Sequence, residues 1–160
     1  MRHDPARLAQ LQQLAILDTT PERVFDDITR LFAKTFSVPI ALVNLLDEQR
    51  DWFKSCVGLP TTDSPAATSF CDVFFNSLEN LIIVQDTTKD ERFAGHPLVA
   101  GPPFIRFYAA ARLIVGGQTV GTLCAYDMTP RDITQAQALG LHAMAAAAIE
   151  LLDARLAERR

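Results

Sequence analysis

The chain has 160 residues, 49% hydrophobic and 21% charged, enough for one globular domain with a proper core. A formal net charge of −4, with no markedly basic segment, argues against binding nucleic acid through its phosphates. No apolar run approaches the roughly 20 residues that span a bilayer, and the polar opening MRHDPARLAQLQQ is unlike a signal peptide, so a cytoplasmic, bacterial-type protein is expected.

Residues 5–17 carry Leu8, Leu11, Leu14 and Leu17 at steps of three, one stripe of a short helix within residues 1–18. In DTTPERVFDDITRLFAKTF, Thr20 is placed to cap a second helix with Pro21 at its first position. Val24, Ile28, Leu31, Phe32 and Phe36 then form its core-facing stripe. Pro39 stops that helix, and the nearly continuous apolar run PIALVNLLD predicts a central strand. After a turn at DEQR, DWFKSCVG sets Trp52, Lys54 and Cys56 against Phe53, Ser55 and Val57, the alternation of a half-exposed strand. The two strands make a hairpin.

Residues 60–68 are loop by composition. Ser69 caps a short helix in FCDVFFNSL that buries Phe70, Val73 and Phe74. NLIIVQD predicts a further strand, and residues 86–103 a long loop. FIRFYAAARLIV and QTVGTLCAYD are strands joined across Gly116-Gly117, a strong hairpin signal. An alanine-rich helix follows over 130–157, with Leu141, Ala145, Ala148 and Leu152 on one stripe and Ile149 and Leu156 beside it. This order predicts one α+β domain over residues 1–160, an antiparallel sheet with the terminal helices packed on one face. A loop of about 18 residues without an element of its own is uncommon in a compact domain and usually functional.

Cys56, Cys71 and Cys124 are widely spaced and odd in number, which argues against a disulfide framework or a structural zinc site. No HExxH, GxSxG or phosphate-cradling glycine loop occurs. No cofactor and no metal site is expected.

Four segments in the right order carry a resemblance that covers nearly the whole chain: LAILDTTPERVFDDITRLFAKTFSVPIALVNLLDEQRDWFKSCVGL, TSFCDVFF, DTTKDERFAGHPLVAGPPFIRFYAAARL and VGTLCAYDMTPRDIT. Together they resemble bacterial signalling GAF domains of the kind found N-terminal to histidine kinases and diguanylate cyclases. The resemblance implies a GAF-like antiparallel sheet of about six strands, helices on one face and a loop-covered small-molecule pocket on the other. Its subfamilies leave distinct marks. The Asn-Lys-Phe signature of cyclic-nucleotide binders is absent, and Cys71 in CDVF lacks the histidine that follows a bilin-attaching cysteine. Free methionine-(R)-sulfoxide reductases share the fold, yet HPLVAGPPF has no cysteine where their attacking thiol stands. His96 is read as facing solvent rather than as a haem ligand.

Arg106 and Tyr108 share one side of their strand, and Arg112 has the same parity. Arg106 reads in two ways. It faces the pocket and holds a carboxylate or phosphate by paired hydrogen bonds, or it pairs with Asp86, Asp90 or Glu91 and pins the long loop to the sheet. Phe93 anchors that loop in the core, Asp86 and Asp90 serve its turns, and Arg92 is a candidate ligand contact. Cys71, near a helix N-terminus, is either a thiol of lowered pKa or a small buried hydrophobe. The expected ligand-binding set is Phe70, Cys71, Phe74, Asp86, Arg92, Phe93, Arg106 and Tyr108. The leading functional expectation is a non-enzymatic regulatory module. It would bind an unknown small molecule between the sheet and segments 60–76 and 86–104, and form a homodimer through its terminal helices. An effector kinase or cyclase would be its partner. Two alternatives stay open: a free methionine-(R)-sulfoxide reductase-like or thiol redox enzyme using Cys71, and a ligand-free dimerisation module whose pocket is filled by Phe70, Phe74, Phe93 and Phe107.

Overall fold

The computed structural model describes residues 1–159. Helix α1 (Pro5–Gln13) starts at Asp4, whose side chain accepts the Ala6 amide, with Pro5 at the first helical position. Helix α2 (Arg23–Phe36) ends where Ser37 turns left-handed, at φ 53°, and returns its amide to the last helical carbonyls. Strands β1 (Ile40–Leu46), β2 (Arg50–Val57) and β3 (Asp63–Pro65) follow, then a 3-10 helix (Phe70–Asn76) and β4 (Leu81–Val84). A four-residue helix α3 (Pro97–Ala100), the strands β5 (Phe107–Val115) and β6 (Gln118–Asp127), and the long helix α4 (Gln135–Glu158) complete the order. A capping box between Thr134 and Gln137 starts α4.

The six strands form one antiparallel sheet in the order β3-β2-β1-β6-β5-β4. Gly116 and Gly117, both at positive φ, make the tight turn between β5 and β6 that side chains with a Cβ disfavour. Side-chain alternation then divides the sheet into two cores. Phe107, Ala109, Ala111, Leu113 and Val115 of β5 meet the helices, together with Leu11 of α1, Phe32 and Phe36 of α2, and Leu141, Ala145, Ala148 and Leu152 of α4. Tyr108 and Ala110 face the opposite way, into a second core with Ile40, Leu42, Phe70, Cys71, Phe93, Val99 and Ile105. The α4 stripe read from the sequence is the buried one. The long loop is less bare than expected: it holds a 3-10 turn (Thr87–Lys89) and α3, and it buries Phe93 and Val99.

Expectations fail in two elements, each for an identifiable reason. In α2 the inward residues are Phe25, Thr29, Phe32 and Phe36, while Val24 and Leu31 are 49% and 53% exposed. Thr29 takes an inward place because its hydroxyl finds Ser55 Oγ at 2.7 Å, a partner that hydrophobicity alone does not reveal. Thr20 is no cap either: the helix starts two residues later than the Pro21 reading requires, and the Thr20 carbonyl accepts from Lys54 Nζ at 2.6 Å. The second failure is in β2. Val43 pairs with Ser55 and Asn44 with Phe53, so Lys54 is an extra, bulged residue. Past that bulge the faces shift by one. Trp52, Lys54 and Ser55 all lie toward the helices, where Lys54 pairs with Glu22 at 2.6 Å, and Phe53 and Cys56 lie on the other side. Both faces of β2 are therefore covered, and the strand is not half-exposed.

Two glycines give opposite expectations. A Cβ at Gly121 would stand 2.2 Å from the Asn44 backbone oxygen, so Gly121→Ala should lower stability by about 1–3 kcal/mol through forced strand separation. Gly140 lies inside α4 with open space around it, and Gly140→Ala should raise stability by about 0.5–1 kcal/mol. Urea unfolding of both variants checks the pair of signs.

Candidate functional site

On the loop-covered face the 3-10 helix Phe70–Asn76 lies over the sheet, started by Ser69, whose hydroxyl accepts the Cys71 amide at 3.2 Å. Beneath it sits a buried carboxylate. Asp51 of β2 is 3% exposed, and three donors converge on it. Arg2 Nη2 reaches Oδ1 at 2.9 Å, Asn44 Nδ2 reaches Oδ2 at 3.0 Å, and Ser69 Oγ also donates to Oδ2. Arg2 is itself only 6% exposed; it spans to Asp72 at 2.7 Å and to the Asp47 carbonyl at 2.7 Å. Arg7 holds the Arg2 carbonyl through Nη2 at 2.7 Å and rests on the Phe75 ring. Burial pushes the Asp51 carboxyl above the usual aspartate range even though Arg2, Ser69 and Asn44 pull the other way.

The network continues inward to sulfur. Cys71 Sγ lies 3.0 Å from Thr122 Oγ1 and 3.2 Å from the Tyr108 hydroxyl, with Asn44 Nδ2 at 3.6 Å. Burial disfavours a thiolate at Cys71, but hydrogen bonds from Cys124, Thr122 and Tyr108 outweigh it and set this thiol below the ordinary range. Burial and the neighbouring Cys71 sulfur push Cys124 well up. Burial likewise raises the Tyr108 phenol.

Beside this network, between β1, β2 and the 98–105 segment, lies a cavity of about 160 Å³. Ile40, Leu42, Phe53, Leu98 and Ile105 supply apolar walls, and Asn44, Asp51, Ser69 and Tyr126 supply polar groups. Over β5, by contrast, aromatic rings fill the space. Phe70 stacks on Phe93 at 4.9 Å, and both contact the Tyr108 ring.

The structure thus gathers some of the expected ligand-binding residues and disperses others. Phe70 lines the cavity, and Cys71, Phe93 and Tyr108 pack around it. Phe74 lies aside, under the Arg112 guanidinium at 5.1 Å. Asp86 caps the 87–89 turn through the Thr88 amide, and Arg92 is exposed and paired with Asp90 at 2.8 Å. Arg106 holds the loop, but through carbonyls: its Nη1 donates to Val99 O at 2.8 Å and Ile105 O at 3.2 Å, not to Asp86, Asp90 or Glu91. Arg112 pins the end of the 3-10 helix in the same way, through the carbonyls of Phe74, Ser77 and Glu79. Phe107 belongs to the helix-side core, so it cannot help Phe70, Phe74 and Phe93 fill a pocket. The sequence reading missed Arg2, Asn44 and Asp51. A lone asparagine inside the apolar run PIALVNLLD was the available signal, since a buried polar side chain needs partners.

Comparison with known proteins places this geometry. The sequence model described as GAF domain matches residues 20–151. A cyclic di-GMP phosphodiesterase of Pseudomonas aeruginosa is 39% identical over 127 residues, which is 79% of this chain and 22% of that protein's length. Among solved structures, the GAF domain of an Acinetobacter phosphoenolpyruvate-protein phosphotransferase is similar with a TM-score of 0.65 at 19% identity, covering 97% of this chain and 95% of that one. The free methionine-R-sulfoxide reductase of Neisseria meningitidis, in complex with its substrate, gives 0.60 at 16% identity, covering 94% and 87%. The Thermosynechococcus elongatus PixJ GAF domain gives 0.61 at 14% identity, covering 91% and 88%. At these identities the three structures show the fold alone.

The buried Arg2–Asp51 pair makes a prediction whose sign depends on pH. Arg2→Met strands the Asp51 charge, and its folded pKa should climb further. Near neutral pH the loss should be about 3–5 kcal/mol, the usual cost of breaking a buried pair. A raised acid pKa favours folding most below the unfolded value and loses that support as pH rises through the folded one. The unfolded chain titrates alike in both proteins, so the difference between parent and Arg2→Met should shrink as pH falls through the two folded values, which lie above the usual aspartate range, and should be smallest at pH 3. Denaturant unfolding of both proteins from pH 3 to 7 reads it directly.

Proposed function

The chain belongs to the GAF domain family, and from that premise we propose that it is a regulatory sensor, taking a small molecule into the cavity between β1, β2 and the 98–105 segment. One observation carries this reading. Asp51 both lines the cavity and holds Arg2 of the N-terminal segment, so a molecule that changes the surroundings of Asp51 acts on the packing of that segment. From there the path runs to the terminal helices. Arg155 of α4 donates to the Leu14 and Ala15 carbonyls just past α1, and Arg159 to that of Gln13. These hydrogen bonds tie the end of α1 to α4.

The outer face of α4 presents Leu139 and the small residues Ala143, Ala146 and Ala147 to solvent. That surface supports a homodimer in which the α4 helices of two copies pack closely. The partner in signalling would be an effector enzyme of the kinase or cyclase type, and the match to a cyclic di-GMP phosphodiesterase extends that class to the enzymes of cyclic dinucleotide turnover. Thiol chemistry at Cys71 has weaker support, because its sulfur is fully buried against Tyr108 and Thr122.

Two outcomes are expected. In a metabolite screen read by thermal shift, hits should stabilise the protein and slow deuterium uptake in residues 86–104. Leu98→Trp, which fills the cavity from its half-buried wall, should erase both effects while leaving the protein folded. A parent protein indifferent to every pool would contradict sensing. Replacing Ala147 by glutamate should convert a dimer to a monomer in sedimentation velocity without loss of helical circular dichroism, and an unchanged mass would remove α4 from the interface.

A further inference from the structure

The cavity carries a statement about the chemistry of its occupant, which rests on the sensor reading of that same site. Asn44, 1% exposed, lines it and spends Nδ2 on Asp51 and Cys71. Its Oδ1 is buried and has no hydrogen-bond partner among the described residues. The amide cannot be turned to relieve this, because turning would set Oδ1 against the Asp51 carboxylate. An acceptor out of water and without a donor costs free energy, so an occupant whose donor reaches Oδ1 is favoured over one without a donor. Charge narrows the occupant further. Among the described residues lining the cavity, Asp51 is the one ionisable at neutral pH; no lysine, arginine or histidine faces in. An anion would enter with no cation to meet it and with a buried carboxylate close by. Arg2, the nearest balancing charge, does not line the cavity and is committed to Asp51 and Asp72.

Size sets the last limit. About 160 Å³ is close to the roughly 150 Å³ that an apolar protein cavity devotes to one benzene. We infer that the cavity takes a compact molecule of about one ring, apolar in body, with a neutral or cationic hydrogen-bond-donating head placed on Asn44 Oδ1, and that it rejects carboxylates and phosphates. Cyclic nucleotides are excluded on charge as well as on size.

Four probes on one ring separate the possibilities: benzyl alcohol, benzylamine, toluene and benzoate, each titrated into isotope-labelled protein and followed at the Asn44 side-chain amide and the Ile105 methyl groups. Benzyl alcohol and benzylamine should bind, toluene about tenfold more weakly for want of the hydrogen bond, and benzoate not at all. In Asn44→Leu the gap between alcohol and toluene should close; if that variant does not fold, the probe order on the parent protein decides alone. Leu98→Trp should abolish every response. Benzoate binding as tightly as benzyl alcohol, or toluene matching it in the parent, would overturn the inference and leave the sensor reading standing. Silence of all four probes, toluene included, would count against the cavity as a binding site and take both readings down.

Discussion

A carboxylate taken out of water must be met by donors, and the burial of Asp51 imposes that demand at the centre of the loop-covered face. The donors come from parts of the chain far apart in sequence: Arg2 ahead of α1, Asn44 in β1, and Ser69 at the start of the 3-10 helix. Each is thereby fixed relative to the others. Ser69 in turn caps the helix that carries Cys71, and Cys71 reaches Tyr108 of β5 and Thr122 of β6. One buried charge thus ties the N-terminal segment, the covering helix and four strands of the sheet into a connected polar layer. Were Asp51 apolar, the apolar contacts of this face would remain, but Arg2 would keep only Asp72 and the Asp47 carbonyl and would lose its buried partner.

The same layer explains where the cavity sits. Over β5 the face is closed by the packed rings of Phe70, Phe93 and Tyr108, and by guanidinium groups that hold loop carbonyls. Over β1 and β2 the aromatic fill stops, and the space between Phe53, Leu98 and Ile105 stays open. Arginines at positions 106 and 112 are therefore braces of the covering segments. The group next to the open space is an amide–carboxylate pair, which selects for hydrogen-bond donors and against anions.

Periodicity made most of the fold legible. The 118–127 strand, the Gly116-Gly117 turn and the Leu141, Ala145, Ala148, Leu152 stripe are where the pattern puts them, because each reflects a single local rule. What the pattern hid was polar and long-range. Thr29 points inward for the sake of Ser55, and Lys54 breaks the alternation of β2 because a bulge gives it Glu22 and the Thr20 carbonyl. Arg2 stands in a polar opening segment whose composition gives no sign of the buried Asp51 and of Asp72 beside it. The site suffered most, since Asn44 and Asp51 matter through partners 7 to 49 residues away. Sequence spacing does not encode such meetings; the strand register and the covering helix create them.

The account stands on Asp51 being a buried carboxylate whose ionisation is governed by Arg2. Carbon-13 NMR of the Asp51 side-chain carboxyl through a pH titration measures this at the atom concerned. Titration above the usual aspartate range, moving higher still in Arg2→Met, is the predicted result. A carboxyl that titrates like one in open solvent and ignores the loss of Arg2 would contradict it.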